Sequence, residues 1–228
     1  MTQADARLGP DRTDIPADGL RERKKRLMRQ QLSDTATRLF MEHGFDAVRV
    51  ADVAAECGVS EATVFNYFTT KEALVLDRLE TTMASLPAGF APPGLAPLEA
   101  ALGMLDEELG HMTDLLASRE DPRGAAKEML RFGDLIRATP SLRAYQSDMM
   151  DQFVAVAAGI LADRNGLSPD DPEPQIAARA LLGLWHVQAQ SLRKHLATTP
   201  LTRIHREVTA DVHRAARIIG EGLNSLGT

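Results

Sequence analysis

The stretch of sequence that decides the fold is residues 44–74, GFDAVRVADVAAECGVSEATVFNYFTTKEAL. Its apolar spacing predicts two short helices, over about residues 50–57 and 61–67, with a turn between them. Gly58 can adopt the positive φ that such a turn needs, and Ser60 is placed to cap the second short helix. A small apolar contact should fix the crossing of the two helices, and it is formed by Val53, Ala54, Val59 and Val64.

Longer helices flank this pair on both sides. The first runs from about residue 20 to residue 43 and ends at Gly44, because glycine is the usual left-handed C-cap. The other starts near Thr70, where residues 69–72 resemble a capping box, and it carries the apolar stripe Leu76, Leu79, Met83 and Leu86. This order of helices is the helix-turn-helix arrangement, whose second short helix enters the major groove of DNA.

The rest of the chain returns to helical periodicity after a break. Residues 87–97 contain four prolines and two glycines, which no helix can cross, and they predict a hinge. Five helical patterns follow, and the third carries the apolar stripe Leu142, Tyr145, Met149, Phe153, Val156 and Ile160. No segment has the pattern of a strand. The predicted fold class is therefore all-α, with about nine helices.

Composition narrows the class of protein further. The chain is 44% hydrophobic, 25% charged and 4% aromatic, and Cys57, its one cysteine, fits a reducing compartment. The first twenty residues lack the apolar core of a secretory signal, and no run reaches the roughly 18 apolar residues that span a bilayer. We therefore expect a cytoplasmic protein without a membrane partner, a metal or a cofactor.

Charge is distributed unevenly along the chain. The net charge of −6 argues against a nucleic-acid partner, yet six basic residues against one acid lie between Arg21 and Arg29. This run is either the solvated start of a helix or a phosphate-binding patch. The helix-turn-helix that follows it favours the patch.

Candidate DNA-binding residues surround the second short helix. Its N-terminal end must carry small or hydrogen-bonding side chains, which are Ser60, Glu61, Ala62 and Thr63. Nearby, Asn66, Tyr67 and Lys71 could hold phosphates. Glu61 has two interpretations: its carboxylate is stabilised by the helix dipole, or it accepts a hydrogen bond from a cytosine amino group.

The same stretch resembles a known family. The segments 44–45, 50–54, 57–60, 63–68 and 71–74 together are similar to the DNA-binding domain of TetR-family transcriptional regulators, and the resemblance covers about residues 23–75. It is specific because several fixed spacings agree at once. It implies a homodimeric repressor that a small-molecule effector releases from palindromic operator DNA. It also places Arg23 and Lys24 near the sugar-phosphate backbone or the minor groove.

Two positions depart from the family's pattern. Arg49 stands where the family often has a threonine that caps the second helix. Because arginine cannot cap, Asp46 or water would take over, or Arg49 would reach a phosphate instead. Phe65 stands where the family usually has a tyrosine, so any phosphate contact of that hydroxyl is lost.

The resemblance also implies a division of the chain into three parts. Residues 1–19 are predicted to be a disordered arm, 20–70 the helix-turn-helix DNA-binding domain, and 71–228 the effector-binding and dimerisation domain. The last two helices, predicted over about residues 175–197 and 202–226, would pair with their symmetry mates. The eighth helix suits this role because it is apolar around most of its circumference, with Leu181, Leu182, Leu184, Trp185 and Val187.

A ligand cavity is the resemblance's remaining implication. Its candidate lining, for a mostly apolar effector, is Met104, Met112, Phe132, Phe153, Trp185 and Gln188, all of which could equally be core. His111 and His186 could orient a polar group of the effector, and nothing spaces them as metal ligands.

Two other classes of function compete with a regulator. An all-α enzyme would need an activated nucleophile or a phosphate loop, and the sequence contains neither pattern. Arg49, Phe65 and the net acidity leave open a second alternative, a helical ligand-binding or adaptor protein without sequence-specific DNA binding.

Overall fold

The computed structural model describes residues 17–85, 89–90 and 94–222, and for residues 17–18 and 78–84 it describes the backbone alone. Within these residues the chain forms nine α-helices and no strand, which confirms the all-α prediction. The helices are α1 Ala17–His43, α2 Val50–Glu56, α3 Glu61–Phe65, α4 Lys71–Ala84, α5 Pro97–Ala117, α6 Pro122–Ala138, α7 Pro140–Asn165, α8 Pro172–Thr198 and α9 Leu201–Glu221. No helix in the described ranges is long and apolar enough to cross a membrane.

Helix boundaries follow local chemistry. Proline occupies the first turn of α5, α6, α7 and α8, where its missing N–H has no helical partner to lose. Gly166, at φ 67°, ends α7 as predicted. The first helix begins at Ala17, so residues 17–19 of the predicted arm belong to α1, and residues 1–16 lie outside the described residues. The predicted hinge lies partly outside them, as do residues 223–226 of the predicted ninth helix.

Two clusters of buried apolar residues organise the molecule. The headpiece cluster is built from α1 to α4 and includes Leu32, Phe40, Val53, Val64 and Leu74. The regulatory cluster is built mainly from α5, α7, α8 and α9 and includes Leu105, Leu109, Ala158, Leu182 and Val208.

The junction of α6 and α7 connects the two clusters. Leu142 of α7 is fully buried inside the headpiece cluster, and Tyr145 packs against it. From α6, Phe132, Leu135 and Ile136 pack on the same cluster. The headpiece is therefore held on the regulatory helices by apolar contact as well as by continuity through α4.

One predicted apolar face differs from the observed one, and another is covered by the chain itself. In α7, Val156 is 46% exposed, because the second half of the helix buries Val154, Ala157 and Leu161 instead. In α8, Leu181, Leu182, Leu184 and Trp185 are buried by the chain's own helices. The apolar circumference of α8 is thus explained by packing within the monomer, and it does not by itself require a partner subunit.

A polar network joins α8 to α9. The Asp211 carboxylate accepts a hydrogen bond from the Ser191 hydroxyl at 2.7 Å. It also lies 3.2 Å from His195 Nε2 and forms an ion pair with Arg214. Burial raises the pKa of the Asp211 carboxyl, but the hydrogen bonds from these three partners outweigh it and hold the pKa at about 2.

Acid should therefore weaken the fold through Asp211. A carboxyl group whose pKa is lower in the folded state adds stability above its unfolded pKa, near 3.8, and loses that contribution as the pH falls towards 2. We expect an Asp211→Asn variant to be less stable than wild type at pH 7 by about 1–2 kcal/mol, with the difference shrinking between pH 4 and 2. Urea unfolding across this range checks it, with the exposed Asp163→Asn as control. A constant difference at every pH would contradict it.

Candidate DNA-binding surface and regulatory domain

The turn between α2 and α3 has the predicted geometry. Gly58 has φ 68°, in the left-handed region, and Ser60 is the N-cap of α3. The Ser60 hydroxyl accepts a hydrogen bond from the Thr63 backbone N–H at 3.1 Å. Val53 and Val64 are fully buried where the two helices cross. The short helices are thus fixed relative to each other by a cap, a glycine and an apolar contact.

The start of α2 is capped differently from the prediction. Arg49 is the N-cap residue, and its side chain makes no capping hydrogen bond. Instead the Asp52 carboxylate accepts from the Arg49 backbone N–H at 2.8 Å and from the Arg49 guanidinium at 2.9 Å. The guanidinium holds the pKa of Asp52 below its ordinary value. The third residue of α2 thus supplies an acceptor for the backbone N–H of the N-cap residue, while the Asp52 backbone N–H bonds to the Arg49 carbonyl at 3.0 Å.

One face of α3 is open to solvent. Ser60, Glu61, Ala62, Phe65 and Asn66 are exposed, while Thr63 is half-buried with its hydroxyl 2.8 Å from that of Ser60. Phe65 is 46% exposed, which is unusual for an aromatic side chain next to a buried core. The helix ends at Phe65 and not at Tyr67, because the following residues turn towards α4.

Lys71 and Tyr67, predicted to hold phosphates, are partly engaged within the headpiece. The Lys71 ammonium donates to the Phe45 carbonyl at 2.5 Å and lies 4.2 Å from the centre of the Phe45 ring. Burial lowers the pKa of Lys71. Tyr67 is half-buried, and its carbonyl accepts from Arg29, which also pairs with Asp77 at 2.6 Å. These contacts fasten α3 and α4 to α1.

The basic run at the start of α1 divides into two kinds of residue. Arg29 is committed to the headpiece, as described above. Arg23 and Lys24 are exposed, and no side-chain contact of either is recorded within the described part of the chain. Like Arg21, Lys25 and Arg26, which are also exposed, they are available to meet an external anion.

Five of the six predicted effector residues lie in or beside the regulatory cluster, and the sixth does not. Met104, Met112 and Phe153 pack against the regulatory cluster, Trp185 belongs to it, and Gln188 is buried beside it. Phe132 packs against the headpiece cluster instead. The reason is that α6 changes partners along its length, which its own periodicity does not reveal.

Glu108 is a residue that the sequence prediction missed. Its carboxylate accepts a hydrogen bond from the indole N–H of Trp185 at 3.0 Å. Burial raises the pKa of the Glu108 carboxyl, and the Trp185 hydrogen bond opposes the rise. Glu108 follows Met104 by four residues, so the sequence places it on the predicted cavity face. Its hydrogen bond with Trp185, 77 residues later in the chain, cannot be predicted from helical spacing.

A cavity of about 410 Å³ lies along the first half of α7. Of the predicted effector residues only Phe153 lines it, with Tyr145, Asp148, Met149 and Gln152. We call this cavity the α7 groove. A second cavity, beside Gln188, has a volume of about 10 Å³, too small for more than a single water.

Comparisons with known proteins agree with this architecture. Residues 32–77 match the family model of bacterial regulatory proteins of the tetR family, and residues 115–223 match the model of the MftR C-terminal domain. The chain is 31% identical over 174 residues to the HTH-type transcriptional regulator TcmR of Streptomyces glaucescens, covering 75% of each chain. It is 28% identical over 175 residues to MftR of Mycobacterium tuberculosis, named as a mycofactocin biosynthesis transcriptional regulator, covering 75% of this chain and 82% of MftR.

A solved structure shows the same fold. Thermus thermophilus FadR, a TetR-family transcriptional repressor in complex with lauroyl-CoA, superposes with a TM-score of 0.50 at 21% identity, covering 85% of this chain and 94% of FadR.

A helix-turn-helix headpiece on a helical regulatory domain defines a class of DNA-binding transcriptional regulators, which are not enzymes. Within that class, the chain belongs to the TetR family. Regulators of this family bind operator DNA, dimerise and bind small-molecule effectors, and the alternative of an adaptor without DNA binding is not favoured.

Proposed function

We propose that the protein is a cytoplasmic repressor that a mostly apolar effector releases from a palindromic operator. The observation that carries this proposal is the exposed face of α3, presented on a fixed and buried scaffold. Residues 60–63 read base edges, and Asn66 contacts a phosphate. Phe65 extends this surface as an apolar contact for a thymine methyl group.

Cations around α3 supply the sequence-independent part of binding. Arg23 and Lys24 contact phosphates from the start of α1. Lys71 uses one N–H on the Phe45 carbonyl and offers the others to DNA. The Arg49 side chain is 78% exposed, so its guanidinium can reach a phosphate while it stays near Asp52. Tyr67 supports the surface from a half-buried position.

Dimerisation through α8 and α9 is part of the proposal. With the apolar face of α8 used inside the monomer, its outer face presents Ile176, Gly183, Gln190 and Ala197, which are spaced by seven residues and all exposed. A Cβ built on Gly183 would meet no atom within 4 Å, so a partner helix can approach this line closely. A two-fold pairing here places two α3 helices about one turn of DNA apart.

Effector release follows from linkage between the two parts of the chain. We propose residues 20–70 as the DNA-binding domain and 71–228 as the effector-binding and dimerisation domain, with α4 as the lever between them. An effector that prefers one spacing of the two headpieces shifts the dimer away from the DNA-competent state. The complex of FadR with lauroyl-CoA supports an effector that has an apolar part.

Selection of genomic DNA fragments by the purified full-length protein tests the proposal. A near-palindromic motif with half-sites about one helical turn apart is the expected result. Binding without sequence preference, or no binding at low salt, would overturn it.

Removal of Arg23 and Lys24 should weaken DNA binding in a salt-dependent way. Each lost phosphate contact reduces the slope of log affinity against log salt concentration by about 0.9. We expect the Arg23→Ala/Lys24→Ala variant to show a shallower slope and the same preferred sequence, measured by anisotropy of labelled operator DNA. The matched control is Arg123→Ala/Lys127→Ala, which removes one exposed arginine and one exposed lysine from α6. Equal slopes in both variants would exclude these contacts.

A further inference from the structure

The α7 groove combines an apolar floor with a polar rim. Met149 is buried, and Tyr145 and Phe153 are half-buried, so that one sulfur and two aromatic rings form the floor. Asp148 and Gln152 are exposed beside them. The five residues occupy positions i, i+3, i+4, i+7 and i+8 of one helix, and they therefore form a single continuous stripe.

Asp148 gives the groove a negative charge. Its carboxylate makes no ion pair or hydrogen bond among the described residues, and none of the described residues that line the groove is basic. The neighbouring Asp151 differs, because it pairs with Arg179 at 3.3 Å. A ligand that covers Asp148 must therefore supply the positive charge itself, since desolvating an unpaired carboxylate is costly.

We propose that the α7 groove is the effector site and that its ligand is an amphipathic organic cation. The aromatic faces of Tyr145 and Phe153 favour a positive group, as does the carboxylate of Asp148. The apolar part of the ligand covers Met149. A volume of about 410 Å³ suits a small molecule. This inference rests on the proposed function and sharpens its mostly apolar effector to one with a single positive charge.

The groove is also placed to influence the headpiece. Tyr145 lines the groove and packs against the headpiece cluster, one turn after the fully buried Leu142. A ligand that displaces Tyr145 changes the surface on which the headpiece rests. Occupancy of the groove and the position of the DNA-binding surface are thereby coupled through one side chain.

Two probes of nearly equal shape and opposite charge test the proposal. Tetraphenylphosphonium and tetraphenylborate are titrated calorimetrically into the full-length protein and into two variants. Asp148→Asn removes the groove's charge, and Asp151→Asn removes an exposed carboxylate three residues further along α7 that does not line the groove. We expect the cation to bind wild type and Asp151→Asn alike, and Asp148→Asn about five- to tenfold more weakly. The affinity of the anion should not fall in Asp148→Asn.

The outcomes separate the site from the regulator function. Failure of the cation to bind, or equal cation affinity in Asp148→Asn and wild type, overturns the cation site even if the protein binds its operator. Loss of operator-bound anisotropy on adding the cation to wild type, but not to Asp148→Asn, supports both. Cation binding that depends on Asp148 in a protein that binds no operator supports the site and overturns the proposed function.

Discussion

Replacing Ala62 by glutamate is expected to weaken operator binding by about 30-fold or more while the fold stays intact. Ala62 lies exposed in the first turn of α3, on the face proposed to enter the major groove. A carboxylate there faces acceptor atoms and phosphates, at a cost of about 1–3 kcal/mol per half-site, and a dimer incurs it twice. The helix itself should tolerate the change, since an acid near a helix N-terminus is favoured by the dipole.

Anisotropy titrations with operator DNA and thermal unfolding of the same samples check this prediction. The matched control is Ala155→Glu, which adds the same side chain at an exposed position of α7 in the regulatory domain. We expect the control to bind DNA like wild type and both variants to melt within about 2 °C of it. Unchanged operator affinity in Ala62→Glu would mean that α3 does not read DNA through this face.

The headpiece could be predicted from sequence because its determinants are local. Gly58 and Ser60 act within a few residues of where they stand, and the burial of Val53 and Val64 follows from helical spacing. The cap of α2 was missed for a related reason. The family pattern led to Arg49 as a residue that lacks the capping acceptor, whereas the Asp52 carboxylate, three residues later, accepts from the Arg49 backbone N–H and supplies the reciprocal half of a capping box.

The regulatory domain was less predictable because its helices change partners along their length. The first half of α7 packs on the headpiece and its second half on α8 within the regulatory cluster, so no single stripe describes both. Val156 continues the spacing of Met149 and Phe153 and is nevertheless exposed. Periodicity identifies a helix and its apolar face, but the element that covers this face is determined by tertiary packing.

The candidate effector site shows the same limit. Large apolar residues were a sound guide to the regulatory cluster, yet a cavity exists where packing is incomplete, and incomplete packing has no signature in sequence. Four of the five residues that line the groove were therefore outside the predicted effector set, although Tyr145 and Met149 had been placed on the correct helix. The polar groove residues, Asp148 and Gln152, alternate with apolar positions. A solvated helix face has polar residues at the same spacing, so the sequence does not mark these two as part of a groove.

Truncation of Leu142 should have the largest effect on the linkage between headpiece and regulatory domain. This side chain belongs to α7 but is fully buried in the headpiece cluster. Leu142→Ala removes buried apolar volume at the point where the two parts meet, and such truncations cost about 2–5 kcal/mol. The loss should fall mainly on the headpiece, because the regulatory cluster keeps all of its own contacts.

Trp185 makes this distinction measurable, since it is the chain's one tryptophan and lies in the regulatory cluster. We compare Leu142→Ala with Leu109→Ala, a fully buried leucine within that cluster. In Leu109→Ala the urea transition of Trp185 fluorescence should shift to lower urea. In Leu142→Ala that transition should shift less, while amide hydrogens of α1 and α4 exchange faster. A contact that anchors an element must stabilise that element most. If the Trp185 transition shifted equally in Leu142→Ala and Leu109→Ala, and amide exchange in α1 were unchanged, α7 would not support the headpiece.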